Sequence, residues 1–247
     1  MTTKKTLTNE IISFCLIGFV IFASKSIFFG NFTVPTPSMV PTIQVGDKLV
    51  ANLVLYNLRV PFTKKIIFNF SKPQRGEIIV FDAPKEPNIS YVKRLVAVPG
   101  DTIEVKNGFI TINGQPLKTS LADEEAIEEI LVNGGTYQET NLQGLSYTVR
   151  RVSGGVNYVN RVREGFNTKE PRIHDIKRTL DEDEYFAMGD NRDDSSDSRD
   201  WGIIPFENIR GQAKFVYYSS YHPDYLNTWF FIPPHSIRWE RFFHKLS

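Results

Sequence analysis

Ser38 lies in a stretch of the chain that prolines make stiff. The sequence VPTPSMVPT at residues 34–42 frames it with Pro35, Pro37 and Pro41. Each proline fixes its own φ and pushes the residue before it towards an extended conformation. A serine held in this way has the rigidity that a nucleophile requires. A stiff linker has the same composition, so the proline pattern alone leaves both interpretations open.

A serine nucleophile needs a base, and no histidine or GxSxG motif lies near Ser38. A lysine can act as a base only when it is neutral, and its ordinary pKa is about 10.4. Burial among apolar side chains lowers that pKa. Lys93 fits this requirement, because strand alternation in YVKRLVAV at residues 91–98 places it on one face with Tyr91 and Leu95. A lysine that protects a strand edge is the common alternative.

A second polar stretch, GDNRDDSSDSRDWG at residues 189–202, combines aspartates, arginines and small hydroxyl side chains. A calcium loop of the EF-hand type requires an acidic or amide residue at its third position and glycine at its sixth. Arg192 and Ser195 occupy those positions here, so we predict no metal site. The mixture predicts a loop whose side chains hydrogen-bond inward, and a solvated acidic loop is the ordinary alternative.

The composition of the 247-residue chain excludes further classes. Lys and Arg number 29 and Asp and Glu number 28, so the net charge is +1 and lacks the basic excess of a general nucleic-acid binder. The single cysteine, Cys15, excludes an internal disulfide and a cysteine-rich metal site. The four histidines show no HExxH motif. We therefore expect no nucleic-acid partner, no metal and no cofactor.

Residues 11–29 form an apolar segment in which Lys25 is the only charge. A helix needs about 20 apolar residues to span a bilayer core, and a lysine near its end can reach the interface. The small-residue pattern of a cleavable signal peptide does not follow the segment. We therefore predict a retained, single-pass transmembrane anchor after a short tail at residues 1–10. Lys4 and Lys5 favour a cytoplasmic N-terminus and an exported body.

The rest of the chain carries the pattern of a mostly β protein. Short apolar runs are bounded by Gly, Pro, Asn and Asp, and Asn107-Gly108 and Asn113-Gly114 are typical of hairpin turns. A helical pattern is visible only at residues 121–132. We predict an antiparallel β-sheet domain in two parts, residues 30–117 and 183–247.

The two parts are separated by a more polar, β-rich subdomain inserted at residues 118–182. An arginine cluster within it, Arg150, Arg151, Arg161 and Arg163, is interpreted as a solvated face. The second part of the core ends in an aromatic segment. Its side chains either pack in the core or rest in the lipid interface, where Trp and Tyr are favoured.

Three motifs occur in a fixed order after the apolar segment: SMVPT at residues 38–42, YVKR with VPGD at 91–101, and GDNRDDSSDSR at 189–199. Together they resemble the bacterial type I signal peptidases (leader peptidases), over about residues 10–112 and 183–218. The resemblance implies a Ser/Lys serine endopeptidase on the exported side of the cytoplasmic membrane. It would remove N-terminal signal peptides from exported preproteins, cutting after small residues through an acyl-enzyme. Its partners would be those preproteins and the lipid bilayer.

The resemblance also implies roles for individual residues. Ser38 matches the nucleophile, Lys93 the general base, and Thr36 the hydroxyl that completes an oxyanion hole with the Ser38 N–H. The remaining matches are Ser195 as the hydroxyl that positions the lysine, Asp197 and Arg199 as a supporting ion pair, and Val34, Met39, Tyr91 and Val92 as the substrate cleft. One departure is Asp194, where the commonest pattern of the family has asparagine.

Two other functions stay open at this point. Self-cleaving repressor proteases are similar around their serine and lysine, but they are cytosolic and carry a DNA-binding domain, whereas this chain begins with an apolar segment. A catalytically silent, membrane-anchored binding module would lack a catalytic residue, whereas Ser38, Lys93 and Ser195 are all present.

Overall fold

The computed structural model describes residues 10, 12–14, 16–17, 28–60, 63, 65–86, 88–106, 109–121, 124–152, 176–221 and 234–246. The strands, in chain order, are β1 (Phe29–Thr33), β2 (Asp47–Asn52), β3 (Asn57–Arg59), β4 (Ile66–Asn69), β5 (Ile78–Asp82), β6 (Ser90–Ala97), β7 (Thr102–Lys106), β8 (Phe109–Ile112), β9 (Gln115–Pro116), β10 (Lys118–Thr119), β11 (Gly134–Thr140), β12 (Ser146–Val152), β13 (Ile176–Thr179), β14 (Glu184–Met188), β15 (Ile204–Pro205), β16 (Ile209–Ser219) and β17 (His244–Lys245). The helices are α1 (Glu124–Asn133) and α2 (Ser198–Trp201), with 3-10 turns at Phe206–Asn208, Pro234–Ser236 and Trp239–Arg241.

The largest sheet has the strand order β1-β2-β16-β5-β6-β14-β15, and β17 pairs with β16. Every pair of neighbouring strands in it is antiparallel. The prediction of a mostly β, antiparallel protein is therefore confirmed. Smaller sheets have the orders β13-β7-β8-β9, β10-β11-β12 and β3-β4.

Strand β6 is the element that brings Lys93 into the molecule. Lys93 pairs with Ile79 of β5, and β14 joins the other edge of β6 only from Arg94 onward. Within the part of the chain that the structure describes, Ser90 to Lys93 thus pair with β5 alone, and their second edge has no strand partner.

Apolar side chains on the two faces of the large sheet form separate clusters. One contains Val34 and Met39 from the loop after β1, together with Leu49 and Val80, and Val92 packs against it. A second surrounds Ile79, Phe81, Leu95 and Tyr185, with Tyr91 at its border. A third joins β6 and β14 to β7 and β8. Strand β6 contributes to all three clusters, so the segment around Lys93 is held from several sides.

The local predictions have mixed outcomes. The turn between β8 and β9 is Asn113-Gly114, with φ values of 54° and 77°, as a two-residue hairpin of this type requires. The predicted helix is present as α1. The predicted turn at Asn107-Gly108 lies outside the described residues, although β7 and β8 pair on either side of it.

Most of the segment predicted as an anchor, residues 11–29, also lies outside the described residues, as do 153–175 of the predicted insertion and 222–233 of the aromatic C-terminal segment. Among the residues that the structure describes, no helix is both long enough and apolar enough to cross a bilayer.

Candidate active site

Ser38 lies in the tight loop between β1 and β2. The Val40 N–H donates to the Pro37 carbonyl at 3.0 Å, and the Ile43 N–H donates to the Met39 carbonyl at 2.9 Å. Met39 and Ile43 are buried and fix the loop to the apolar cluster under the sheet. Ser38 itself is 9% exposed, so the loop holds it at the edge of the core.

Lys93 reaches Ser38 from strand β6 of the same large sheet. Its Nζ donates to Ser38 Oγ at 2.7 Å and to the Val92 carbonyl at 3.1 Å, and it lies 5.6 Å from the centre of the Tyr91 ring. The side chain is 4% exposed. Burial lowers the pKa of Lys93 to about 8, although the carboxylates of Asp197 and Asp190 act in the opposite direction. A lysine with this pKa is partly neutral near pH 7, and the neutral amine can accept a proton.

Thr36 lies two residues before Ser38 and is exposed. Its Oγ1 is 3.4 Å from Ser38 Oγ, and either hydroxyl can be the donor. The two hydroxyl groups therefore face the same small volume beside the loop.

Residues 189–199, which follow β14, form the wall opposite Ser38. Asp197 caps helix α2, accepts from the Gly189 N–H at 3.0 Å, and accepts from Arg199 Nε at 2.8 Å and Nη2 at 2.7 Å. Burial of Asp197 alone would raise the pKa of its carboxyl, but the Arg199 guanidinium outweighs this and holds the pKa below its usual range. Asp197 thus remains a carboxylate with no exposed surface, close enough to act on the charge of Lys93.

Ser195 lies next to Ser38 but does not contact Lys93 by a hydrogen bond. Its Oγ is buried and has no hydrogen-bond partner among the described residues. A Cβ placed on Gly189 would lie 2.2 Å from Ser195 Oγ and 2.3 Å from the Ser38 carbonyl oxygen. Only glycine allows these two segments to approach so closely.

Asn191 and Thr42, to which the sequence patterns assign no role, join the serine loop to the wall. The Asn191 N–H donates to the Ser38 carbonyl at 3.1 Å, and its side-chain amide donates to the Pro37 carbonyl at the same distance. The Thr42 hydroxyl donates to Asp190 at 2.6 Å. The loop is thus tied to the wall on both sides of Ser38.

Arg94 follows Lys93 directly, and the sequence patterns assign it no role either. Its Nε and Nη2 donate to the two oxygens of Asp190 at 2.9 and 2.8 Å, and its Nη1 donates to the Gly76 carbonyl at 2.7 Å. Both members of the ion pair are buried. An arginine inside an apolar strand requires a buried counter-charge, and that requirement is the sequence signal that could have identified the pair.

The four residues predicted to form the substrate cleft divide between two clusters. Val34, Met39 and Val92 belong to the cluster behind Ser38. Tyr91 belongs to the other and stacks on Trp201, with ring centres 6.4 Å apart and an interplanar angle of 28°. Trp201 lies at the end of the acidic motif and was not singled out in the sequence.

A family model described as signal peptidase, peptidase S26, matches residues 7–218, which is most of the chain. The chain belongs to the signal peptidase I family. Signal peptidase I of Pseudomonas aeruginosa is 34% identical over an alignment of 218 positions, and the match covers 84% of this chain and 71% of that one. Signal peptidase I of Rickettsia bellii is 33% identical, and the match covers 88% of this chain and 75% of that one. Signal peptidase I of Aquifex aeolicus is 29% identical, and the match covers 87% of this chain and 86% of that one.

As a signal peptidase I, the protein is a serine endopeptidase that removes signal peptides from preproteins. This confirms the function that the three motifs predicted. The buried Ser38–Lys93 contact lies within the matched region of the signal peptidase, as do Thr36 and the wall from Gly189 to Arg199.

Proposed function

We propose that Ser38 is the nucleophile of this signal peptidase and Lys93 its general base. The observation that carries this proposal is the 2.7 Å contact between Lys93 Nζ and Ser38 Oγ in a buried site. The neutral amine takes the proton of the Ser38 hydroxyl as Oγ attacks the peptide carbonyl. Protonated Lys93 then donates to the departing amine, and water releases the acyl group from Ser38.

The oxyanion of the tetrahedral intermediate is stabilised by the Ser38 N–H and the Thr36 hydroxyl. Thr36 Oγ1 lies 3.4 Å from the attacking oxygen, so it borders the position where the oxyanion forms. Pro35 and Pro37 restrict the backbone on either side of it. A donor held in this way stabilises the developing charge without reorganising.

Ser195, Asp197 and Arg199 position the base. A lysine ammonium has three N–H donors, and the described contacts of Lys93 use two of them. The buried, unpartnered hydroxyl of Ser195 is the acceptor for the third once the site rearranges around substrate. Asp197, fixed by Arg199, limits how far burial lowers the pKa of Lys93.

The substrate lies extended along the edge of β6 at residues 90–93, which has no strand partner among the described residues. Main-chain hydrogen bonds of this kind supply affinity, and pockets for alternate side chains supply specificity. Val34 and Met39 are already packed in the core, while Tyr91 and Val92 are half-buried, so the space beside Ser38 accepts only small side chains. The enzyme therefore cuts after small residues, in an Ala-x-Ala pattern.

The anchor at residues 11–29 holds the enzyme in the cytoplasmic membrane as a single-pass protein, with residues 30–117 and 183–247 on the exported side and residues 118–182 as an insertion. Its apolar composition and the lysines before it support this arrangement. Tethering to the bilayer raises the local concentration of preproteins that are themselves held in the membrane.

Cleavage of a preprotein by the purified full chain in detergent tests the dyad and the specificity together. The wild-type chain should release a single new N-terminus, located by mass spectrometry, and the Ser38→Ala variant should release none. Replacing the alanine before the cut by serine should preserve cleavage, and replacing it by phenylalanine should abolish it. Cleavage by the Ser38→Ala variant would show that Ser38 is not the nucleophile. Cleavage of the phenylalanine substrate would contradict a pocket that accepts only small side chains.

Protease added outside spheroplasts tests the orientation. We expect the body to be digested and the chain to resist extraction at alkaline pH. A protected body would place the catalytic domain on the cytoplasmic side.

A further inference from the structure

A buried ion pair links the wall, residues 189–199, to strand β11, which is far from Ser38 in the sequence. Arg192 donates through Nη1 and Nη2 to the two carboxylate oxygens of Glu139 on β11, at 2.8 and 2.6 Å. Both side chains are 1% exposed. The Tyr147 hydroxyl of β12 also donates to Glu139, at 2.7 Å. Glu139 is therefore a fully engaged carboxylate with no access to solvent.

Strand β12 also binds the main chain of the loop. The Arg150 N–H donates to the Asp190 carbonyl at 2.8 Å, and the Arg192 N–H donates to the Arg150 carbonyl at 2.9 Å. Asp193 accepts from Arg151 Nη1 and from the main chain of β12, each at 3.0 Å. The β10-β11-β12 sheet thus fixes residues 190–193 by main-chain and side-chain contacts together.

From Arg192 the contacts continue to the base. The Arg192 carbonyl accepts from Arg199 Nη2, and the Arg199 guanidinium donates two hydrogen bonds to Asp197. The charges that act on Lys93 are those of Asp197, Asp190 and Arg199. Its other described contacts are Ser38 Oγ, the Val92 carbonyl and the Tyr91 ring. A shift of Arg192 would therefore move the carboxylate that faces Lys93.

We propose that Glu139 is a positioning residue of the catalytic site, which acts through Arg192 to hold the loop that carries Ser195 and Asp197. The β10-β11-β12 sheet then contributes to catalysis. This inference rests on the proposed Ser38–Lys93 dyad. Removing the charge of Glu139 leaves Arg192 as an uncompensated buried cation, which cannot keep its place without its partner.

Steady-state cleavage by the Glu139→Gln variant tests this inference. Misplacement of a catalytic group by about 1 Å can cost about 10²-fold in rate, so we expect kcat to fall by about that factor while KM stays close to that of the wild type. The acid limb of the kcat profile should move to lower pH, because Lys93 loses part of the stabilisation that Asp197 gives its charged form.

Three further variants separate positioning from general loosening. Arg192→Met combined with Glu139→Gln removes both charges, so the double variant should be no worse than Glu139→Gln alone. Val149→Ala leaves a cavity in the same sheet but keeps Glu139, Arg192 and the Tyr147 hydroxyl, and its kcat and acid limb should match the wild type. Should Glu139→Gln fail to fold, Tyr147→Phe removes only one donor to Glu139 and should shift the acid limb in the same direction by less.

The inference is overturned if folded Glu139→Gln keeps the wild-type kcat and acid limb, if Val149→Ala reproduces its effects, or if the double variant is clearly less active than Glu139→Gln alone. Where Glu139→Gln does not fold, a wild-type profile for Tyr147→Phe overturns it. Ser38→Ala, measured in parallel, separates this result from the dyad. An active Ser38→Ala protein contradicts the proposed function, whereas an inactive one beside a normal Glu139→Gln protein contradicts only the role of Glu139.

Discussion

Cleavage should rise with pH as Lys93 loses its proton. Burial lowers the pKa of Lys93 to about 8. At pH 7 such a lysine is neutral in about one molecule in ten, against about one in 2,500 for an ordinary lysine with a pKa of about 10.4. Burial therefore raises the neutral fraction of Lys93, which is the form that can act as a base, about 200-fold at pH 7.

The shape of the pH profile follows from the same value. Below about pH 7, kcat/KM should fall about tenfold for each pH unit, and it should level off above about pH 9. Initial rates on a short peptide with small residues before the cut, taken at constant ionic strength, measure the profile. Circular dichroism at each pH confirms that the protein stays folded. A profile that is flat from pH 6 to 9, or one with its maximum near pH 5, would refute a lysine base.

Three further outcomes are expected. Thr36→Val deletes the hydroxyl that borders the oxyanion and should lower turnover by about 10²- to 10³-fold, whereas Thr36→Ser should retain most activity; equal rates for the two would remove Thr36 from the oxyanion hole. Ser195→Ala should lower kcat by about 10- to 100-fold, the value of a hydrogen bond to a charged group, and an unchanged kcat would show that Lys93 needs no third partner. Arg75 Nε donates to Asp101 at 2.6 Å. This contact, with hydrogen bonds from Val98 and Asn113, holds the pKa of Asp101 below its usual range despite the burial of that carboxyl. The charged carboxylate therefore contributes stability above about pH 4 that is lost as the pH falls through the folded pKa. The Tm of Asp101→Asn should therefore fall less than that of the wild type on acidification, and a parallel fall in both would contradict this.

The position of Lys93 could be predicted because it depends on local pattern. Strand alternation at residues 91–98 placed it among apolar side chains, and the structure buries it there. The asparagine–glycine turn before β9 and helix α1 were visible in the sequence for the same reason, since each depends on residues close together in the chain. The β-sheet class followed from the spacing of the apolar runs.

The buried charges could not be assigned from local pattern. Arg94 meets a partner 96 positions away and Arg192 one 53 positions away. The prediction of a solvated arginine cluster was wrong for Arg151, which is 3% exposed and paired with Asp193. Charge runs are usually solvated, and only the three-dimensional approach of β12 to the acidic loop reverses that tendency here.

Turnover of the Ser38→Ala, Lys93→Met and double variants on one preprotein is the most direct test of the Ser38–Lys93 dyad. Methionine fills the volume of the buried lysine stem without supplying a base, and thermal unfolding verifies that each variant keeps its fold. Residues that act as one catalytic unit are strongly non-additive, so each single variant should lose about as much as the double variant, on the order of 10⁶-fold. Near-normal turnover by folded Lys93→Met, or losses that multiply in the double variant, would contradict the dyad.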